Sequence, residues 1–454
     1  MTCERKPETS QDKPPHVCTM WVDNANMTRV RLVPRARFEA RNFQVSLTTA
    51  MQSMPCMYDV PFETPVGEVQ IIPERAHMYT ASWLSDATIC FGDMTKYGQP
   101  WAHCPRTFLR RQLTTLREKH GIAPTVGFEM EFQLLSPDTN EPVDTSLYCD
   151  THALHQKGNW RVLKRIVEVL QTELNIPVHQ YHPESASGQF EISIGTFGAD
   201  DEAEDVEAIV RAVDKLVLAR QTVHGVAAEF DYRATFVPKL RLNEAGSAAH
   251  LHLGLLDVST PLSEDTLFEA DSAKAQAFLA GVLQELPHIS ILLAATYNSY
   301  ERLQPKCWAG AYQCYGYENR EAPIRLICSE LGNFARVNHF EVKTLDATAN
   351  PYVAVGAVLA AGMIGLENNL PLPPPVNVDP ETLPEGERPQ PLPRSIDEAV
   401  ASFQARADVW RSVLSPSYFD LLVQLRSAEA EFHGNLIDQF GNRTKLLAEL
   451  TKRY

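Results

Sequence analysis

Two hydrophobic periods run along this chain, and they lay out most of its elements. Residues 125–135 are apolar, β-branched or aromatic at most positions, and the run Gly127-Phe128-Glu129-Met130-Glu131-Phe132 inside them has the alternation of a strand. Residues 19–22, 28–34 and 69–72 predict further short strands separated by proline and glycine. Pro105 opens a helix over 105–120, since proline is tolerated at the first helical position. Trp160, Leu163, Ile166, Val167 and Leu170 recur at the helical period and predict a helix over 159–174. A third helix is expected from about 201 to 224, with acids in its first turn where the helix dipole favours them. Asn350-Pro351 starts another by the cap-then-proline rule, ending near 368. The proline-rich stretch 370–393 predicts an extended surface loop, with a partner-binding PxxP segment as the lesser reading. Residues 395–454 are amphipathic and helical, and no internal repeat is visible.

Composition narrows the class. A chain of 454 residues buries a large core and allows two or three domains; the turn at Gly98-Gln99-Pro100-Trp101 puts a boundary near residue 105. The make-up, 44% hydrophobic and 22% charged, is that of a soluble globular protein. A net charge of −16 argues against nucleic acid or an anionic membrane as partner. The first seventeen residues read as a disordered tail, because their polar start has no apolar stretch of the secretory kind. The longest uncharged apolar run, 352–366, is shorter than the ~20 residues of a membrane span and reads as a buried core helix. Nine cysteines without CxxC pairs, several such as Cys90, Cys307 and Cys328 in apolar or aromatic company, suit reduced, packed thiols in the cytoplasm.

Candidate chemistry begins with Glu129 and Glu131. Side chains alternate along a strand, so both carboxylates face one side, and burying such a pair is costly unless a positive group sits between them. Alone, the pair fits a solvated sheet face. Glu191 follows at the start of an alternating strand, and Glu184 precedes a Ser-Ala-Ser-Gly turn that can fold the two acids together. His250 and His252 share a strand face after the small residues Gly246 to Ala249, and Glu341 stands on another short strand, Phe340 to Lys343. Arg302, Arg320 and Arg325 offer planar forks for phosphate or carboxylate. Each feature has an ordinary structural reading. Together, an oxygen-dominated donor set suits hard divalent ions such as Mg²⁺ or Mn²⁺, and two ions flanked by arginines make a phosphoryl-transfer clamp.

At this point the chain resembles the glutamine synthetase family, with matching segments in order from about residue 19 onward. They are Gly98-Gln99-Pro100-Trp101 with Cys104-Pro105-Arg106, Gly127 to Glu131, Glu184 to Glu191, Gly246 to His252, Asn298 to Arg302, Asn319-Arg320 to Arg325, and Phe340-Glu341 to Ala349-Asn350-Pro351-Tyr352. The resemblance implies an α+β protein: a β-grasp domain over 18–104, then a catalytic domain over 105–454 with a curved, mostly antiparallel sheet flanked by helices. It implies dodecamer-like homo-oligomeric rings with active sites between subunits. It further implies ATP and two or three Mg²⁺ or Mn²⁺ ions, with Glu131, Glu184 and Glu191 holding one metal and Glu129, His250 and Glu341 another. His252, Arg320 and Arg325 would face the nucleotide phosphates, while Arg302, Lys343 and the Gly246 backbone would hold glutamate. The family reaction phosphorylates the glutamate γ-carboxylate and lets an amine attack the γ-glutamyl phosphate.

The departures bear on which amine. Ammonia-using members of the family carry an acid in the flap after the substrate arginine; here the flap is Pro305-Lys306-Cys307-Trp308-Ala309-Gly310, with Trp308 in the acid's place. Residues 43–47, where an ammonium-binding acid is expected, contain no carboxylate. An indole offers apolar area and a cation–π face, which favours an amine that carries carbon. Ala245 stands where an amide-bearing residue is common, and Lys343 where an arginine is common, keeping the charge without the fork. No tyrosine lies in a recognisable adenylylation loop. The expectation is a ligase joining glutamate to a small organic amine; an ammonia-using glutamine synthetase and a catalytically silent relative are the alternatives.

Overall fold

The computed structural model describes residues 13–40, 44–54, 66–156, 158–198, 205–258, 272–329, 337–440 and 443–454. Among the described residues, fourteen strands form two sheets. The first contains β1 (His16–Val22), β2 (Thr28–Pro34), β3 (Val45–Thr48), β4 (Glu68–Tyr79), β5 (Ala87–Lys96) and β6 (Gln99–Pro100). Its order is β2-β1-β5-β4-β3, with β6 on β5. The central pair β1 and β5 is parallel and the other pairs are antiparallel, as in a β-grasp sheet. β1 starts at His16 and Val17 is fully buried, so the chain is already in the sheet where the sequence predicts the end of a tail. Residues 1–12 of that expected tail lie outside the described residues.

The second sheet holds β7 (Ile122–Leu135), β8 (Val178–Pro183), β9 (Gln189–Phe197), β10 (Arg233–Thr235), β11 (Leu251–Asp257), β12 (Tyr315–Tyr317), β13 (Ile324–Cys328) and β14 (Val337–Val342). Its order is β12-β13-β14-β11-β7-β9-β8, with β10 on β7, and every pair except β12–β13 is antiparallel. The long strand β7 is almost wholly buried, which explains its near-continuous apolar run.

The helix Pro105–His120 keeps its expected bounds. The helix begun at Asn159 is α-helical to Glu168 and continues as a π-turn over Val169–Glu173. The next runs Val206–Glu229, five residues beyond the expected end, with the Asp205 side chain capping the Glu207 N–H; most of the acidic start expected at 201 lies outside the described residues. Pro351–Asn368 is capped by Asn350 and is apolar all round. It is buried because it packs on Ala273–Leu293, a helix that the sequence pattern did not predict. Both helices are long and apolar enough to cross a membrane, yet most of each is covered by the protein itself. They touch through Gly281 and Gly365: a Cβ added at Gly281 would meet the Gly365 nitrogen at 2.5 Å, so only glycine permits this approach.

The proline-rich stretch is docked rather than loose. Val376 N–H donates to the Tyr315 carbonyl at 2.8 Å, and Leu392 is buried. The C-terminal region is four helices, Ile396–Gln404, Ala407–Leu414, Pro416–Phe440 and Arg443–Leu450, where one amphipathic stretch was expected. All seven described cysteines are free thiols.

Candidate active site

Strand register builds the candidate site in two rows. On β7, Glu131 stands opposite Glu191 of β9, which stands opposite His182 of β8. In the other direction Gly127 of β7, His252 of β11, Glu341 of β14 and Arg325 of β13 lie abreast. His250 falls just before β11, where its carbonyl still accepts the Glu129 N–H at 3.1 Å. Alternation then brings Glu129, Glu131, Glu191, His250 and Glu341 to one side of the sheet, around a cleft of about 340 Å³. A cavity of about 400 Å³ adjoins it and shares Glu129 and Arg325; His252, Asn338 and His339 also line it.

The contacts within the cleft are close. His250 Nδ1 lies 2.8 Å from Glu129 Oε2 and 3.1 Å from Glu341 Oε1. His252 Nε2 is 3.1 Å from Glu129 Oε1. Glu341 is within ion-pair reach of Arg325 Nε at 2.6 Å and Lys343 Nζ at 3.7 Å. Glu131 accepts the Ala248 N–H at 3.0 Å and the Gln189 amide at 3.1 Å. Glu184 accepts from the Ser185 hydroxyl at 2.7 Å, and its carboxylate lies 3.8 Å from Cys149 Sγ.

Electrostatics separate the acids. Burial works to raise Glu129, but its hydrogen bonds to His250 and His252 outweigh that and hold it well below the usual carboxylate range. Burial likewise opposes ionisation of Glu341, and Lys343, His250 and Arg325 overcome it. Glu131 goes the other way: burial and the neighbouring charges of Glu191 and Glu184 push it up. The hydrogen bond to Glu191 raises His182 to about 9 against the opposing effect of burial.

Every candidate metal, nucleotide and substrate residue named from the sequence lines one of these two cavities. Arg302 is buried and donates to the carbonyls of Lys343 at 3.1 Å and Thr344 at 2.6 Å. Gly246 passes directly over it: an added Cβ would meet Arg302 Cγ and the Pro238 carbonyl oxygen, each at 2.5 Å. Arg320 is exposed on the rim. Trp308 is also at the rim, 47% exposed, with φ +53° and its backbone N–H donating to Glu321 Oε1 at 3.3 Å.

Three further residues escaped the sequence reading. Gln189 reaches Glu131, the Gly246 carbonyl at 2.8 Å and the Ser247 hydroxyl at 3.0 Å with one amide nitrogen, tying the glycine loop to the acids. His182 lies 3.3 Å from Glu191, and His339 Nε2 lies 2.8 Å from His252 Nδ1. His339 shares a face of β14 with Glu341, so alternation along that strand contained its signal, whereas His182 meets Glu191 only through the register of β8 on β9.

The donor set suits divalent cations. Among the described residues, Glu129, His252 and Glu341 each present a ligand atom within 4.8 Å of the others. Both Glu341 oxygens are sealed from solvent, and the close approaches of Arg325 and His250 lack hydrogen-bond geometry, leaving both oxygens without a hydrogen bond. The buried Glu131 also stands among like charges, a cost that a cation between them would remove.

Fold and cleft together define an α+β protein with a carboxylate-rich, arginine-flanked site on a curved antiparallel sheet. Residues 102–441 match the family model of the glutamine synthetase catalytic domain, and the chain belongs to the glutamine synthetase family of ATP-dependent ligases. Among curated relatives, the gamma-glutamylpolyamine synthetase of Streptomyces coelicolor is 31% identical over 91% of this chain and 89% of its own. A type-1 glutamine synthetase of Dictyostelium discoideum is 30% identical over 85% and 80%. Among solved structures, an ADP complex of GmaS superimposes with a TM-score of 0.80 at 24% identity, covering 94% of this chain and 95% of that one, a likeness of fold.

Proposed function

We propose that this protein joins the γ-carboxylate of glutamate to a small organic amine at the expense of ATP. A γ-carboxylate oxygen takes the terminal phosphoryl group and ADP leaves. The amine nitrogen then attacks the γ-glutamyl phosphate, expels phosphate and loses a proton. Glu131, Glu184 and Glu191 would hold one Mg²⁺ or Mn²⁺, and Glu129, His250 and Glu341 a second. His252 touches Glu129 as closely as the proposed ligand His250 touches Glu341, so the division of work between the two imidazoles belongs to the proposal. Bound there, such ions would supply positive charge to the phosphoryl group in flight. Arg320 and Arg325 would bind phosphate oxygens, with His252 beside them in the adjoining cavity. Arg302, Lys343 and the Gly246 backbone would hold the glutamate. We also take residues 18–104 and 105–454 as the domains, a ring of like subunits as the assembly and the cytoplasm as the location. The free thiols support that location.

The observation that carries the choice of amine is Trp308. An indole at the rim of this cleft presents an apolar, π-faced surface that a carbon-bearing amine can cover and that does less for a small, strongly hydrated ammonium ion. The test measures ADP release with glutamate and a panel of polyamines, alkylamines, ethanolamine, aromatic amines and ammonia. An organic amine is expected to give the highest kcat/KM, and Trp308→Glu to shift preference towards ammonia. Ammonia as the best substrate of the wild type would sink the reading. The competing reading, an ammonia-using glutamine synthetase, draws on the Dictyostelium relative's nearly equal identity, and the same panel decides between them.

A further inference from the structure

The roomiest cavity described lies away from the candidate active site. It measures about 520 Å³ and sits between the β1–β2 turn, the helix Val206–Glu229 and the last residues of the chain. In a protein of net charge −16, its walls carry Arg220, Arg233, Lys452 and Arg453 and no aspartate or glutamate side chain. Three of these cations have partners away from the cavity: Arg233 donates to Asn140 Oδ1 at 2.6 Å, Lys452 lies 2.6 Å from Glu449, and Arg453 lies 3.6 Å from Glu429. Arg220 differs. Its printed hydrogen bond is a long one, 3.5 Å from Nη1 to the Ala347 carbonyl, and its Nε is sealed from solvent without a partner.

The carboxylate that acts on it is shared. Asp346 acts on Arg220 through space, but its Oδ2 lies 3.8 Å from Arg302, the guanidinium of the candidate active site. Its Oδ1 is taken by the Thr348 N–H at 3.0 Å and the Thr348 hydroxyl at 2.5 Å. One carboxylate therefore serves the buried Arg302 and the partly covered Arg220, and desolvation holds Arg220 down at about 10. A desolvated fork without an anion is unfavourable, and an anion arriving there gains charge-assisted hydrogen bonds. Val22, Val217, Ala234 and Phe236 supply apolar wall beside the cations, so there is room for a carbon body as well as a charged group.

We infer that this cavity is a binding site for a small organic anion, a carboxylate or a phosphate, held by Arg220 with Arg233 and Lys452 at its walls. The test is calorimetric titration of the full-length protein with inorganic phosphate and, separately, with citrate; the two arms separate the phosphate and carboxylate sources. Both anions go into the wild type, Arg220→Met and Arg320→Ala, the last removing a cation of the active-site rim. At least one anion is expected to bind the wild type and Arg320→Ala alike and to bind Arg220→Met about tenfold or more weakly. Arg220→Met removes a partly desolvated charge with only a shared counter-charge and keeps the volume, so folding should survive; Arg233→Gln is the second variant, expected to weaken binding in the same arm. Heat from neither anion, or binding that Arg320→Ala abolishes and Arg220→Met leaves intact, would overturn the inference.

Discussion

Arg106 knits the first sheet to the helices behind the second, and replacing it with methionine should cost more stability than any other arginine change on that surface. Its guanidinium is buried and grips Asp214 with two parallel hydrogen bonds, Nε to Oδ1 at 3.1 Å and Nη2 to Oδ2 at 2.9 Å. Nη1 reaches Asp93 of β5 at 3.0 Å, and Nη2 also bonds Glu74 of β4. Asp214 lies in the helix Val206–Glu229, is 2% exposed, and its other partner is the Tyr352 hydroxyl at 2.5 Å. Burial already pushes the Asp214 carboxyl up, against the pull of Arg106.

In Arg106→Met the methionine fills the volume but strands Asp214. Breaking one side of a buried ion pair costs about 3–5 kcal/mol, because the remaining charge stays desolvated. The links to Asp93 and Glu74 are more exposed, at 32% and 22% of the side chain, and add no more than about 1 kcal/mol each. Asp214→Asn removes the stranded charge, so the double variant should recover much of the loss, with a coupling of about 2 kcal/mol or more. Urea unfolding of the two single variants and the double variant, followed by tryptophan fluorescence, closes the cycle. A loss under about 1 kcal/mol for Arg106→Met, or simple additivity in the double variant, would refute this account of the junction.

Other consequences are as direct. Gly246→Ala forces Arg302 or the Pro238 carbonyl to move, since its Cβ meets both at 2.5 Å; the KM for glutamate should rise by about tenfold or more while the fold, followed by circular dichroism, is retained. Glu341→Gln should weaken Mn²⁺ binding by about tenfold or more in a titration followed by electron paramagnetic resonance, and unchanged affinity would remove Glu341 from the ligand set. Burial holds His433 down at about 4, against an ordinary value of 6.5, and neither ring nitrogen has a partner. The unfolded chain therefore takes up the proton first, so the contribution of this residue is intact above pH 6.5 and falls by about 3 kcal/mol in total as pH drops to 4. His433→Gln should flatten that part of the stability–pH curve, and an unaltered slope between pH 6.5 and 5 would count against it.

How far the sequence reveals this structure depends on the local period. Strands with one face on the cleft announce themselves by alternation, so Glu129 with Glu131, His250 with His252, and Glu341 stand out before any coordinates. The turn after Glu184 is legible as well: its small residues fold back until the Glu184 N–H meets the Gln189 carbonyl at 2.8 Å. The helix Ala273–Leu293 is not, because it is mostly apolar, has only scattered polar residues such as Gln276, Gln284 and His288, and carries Pro287 in its interior. The register that sets His182 against Glu191 and Arg325 against Glu341 is a property of pairing between distant strands, which one strand's pattern does not contain.

The same distinction separates the two halves of the proposed reaction. The proposed phosphoryl-transfer groups sit mainly on strands whose period-two pattern shows which of them share a face, while the register between strands brings them together. The amine side rests on the flap Pro305–Gly310, where Lys306 and Trp308 adopt left-handed φ values of 63° and 53°. Such a conformation disfavours bulky residues and persists only when surroundings impose it. Here the Trp308 N–H is held by Glu321, thirteen residues away in a different segment. The sequence shows only that an indole stands in this flap, while the backbone contact that helps hold the residue comes from a segment that no local pattern encodes. Releasing it tests the point: Glu321→Ala should alter the ranking of amines without changing ADP release measured with glutamate and hydroxylamine, a small nucleophile that needs no indole. If the ranking holds, Trp308 is placed by the flap alone, and Glu321 has no part in choosing the amine.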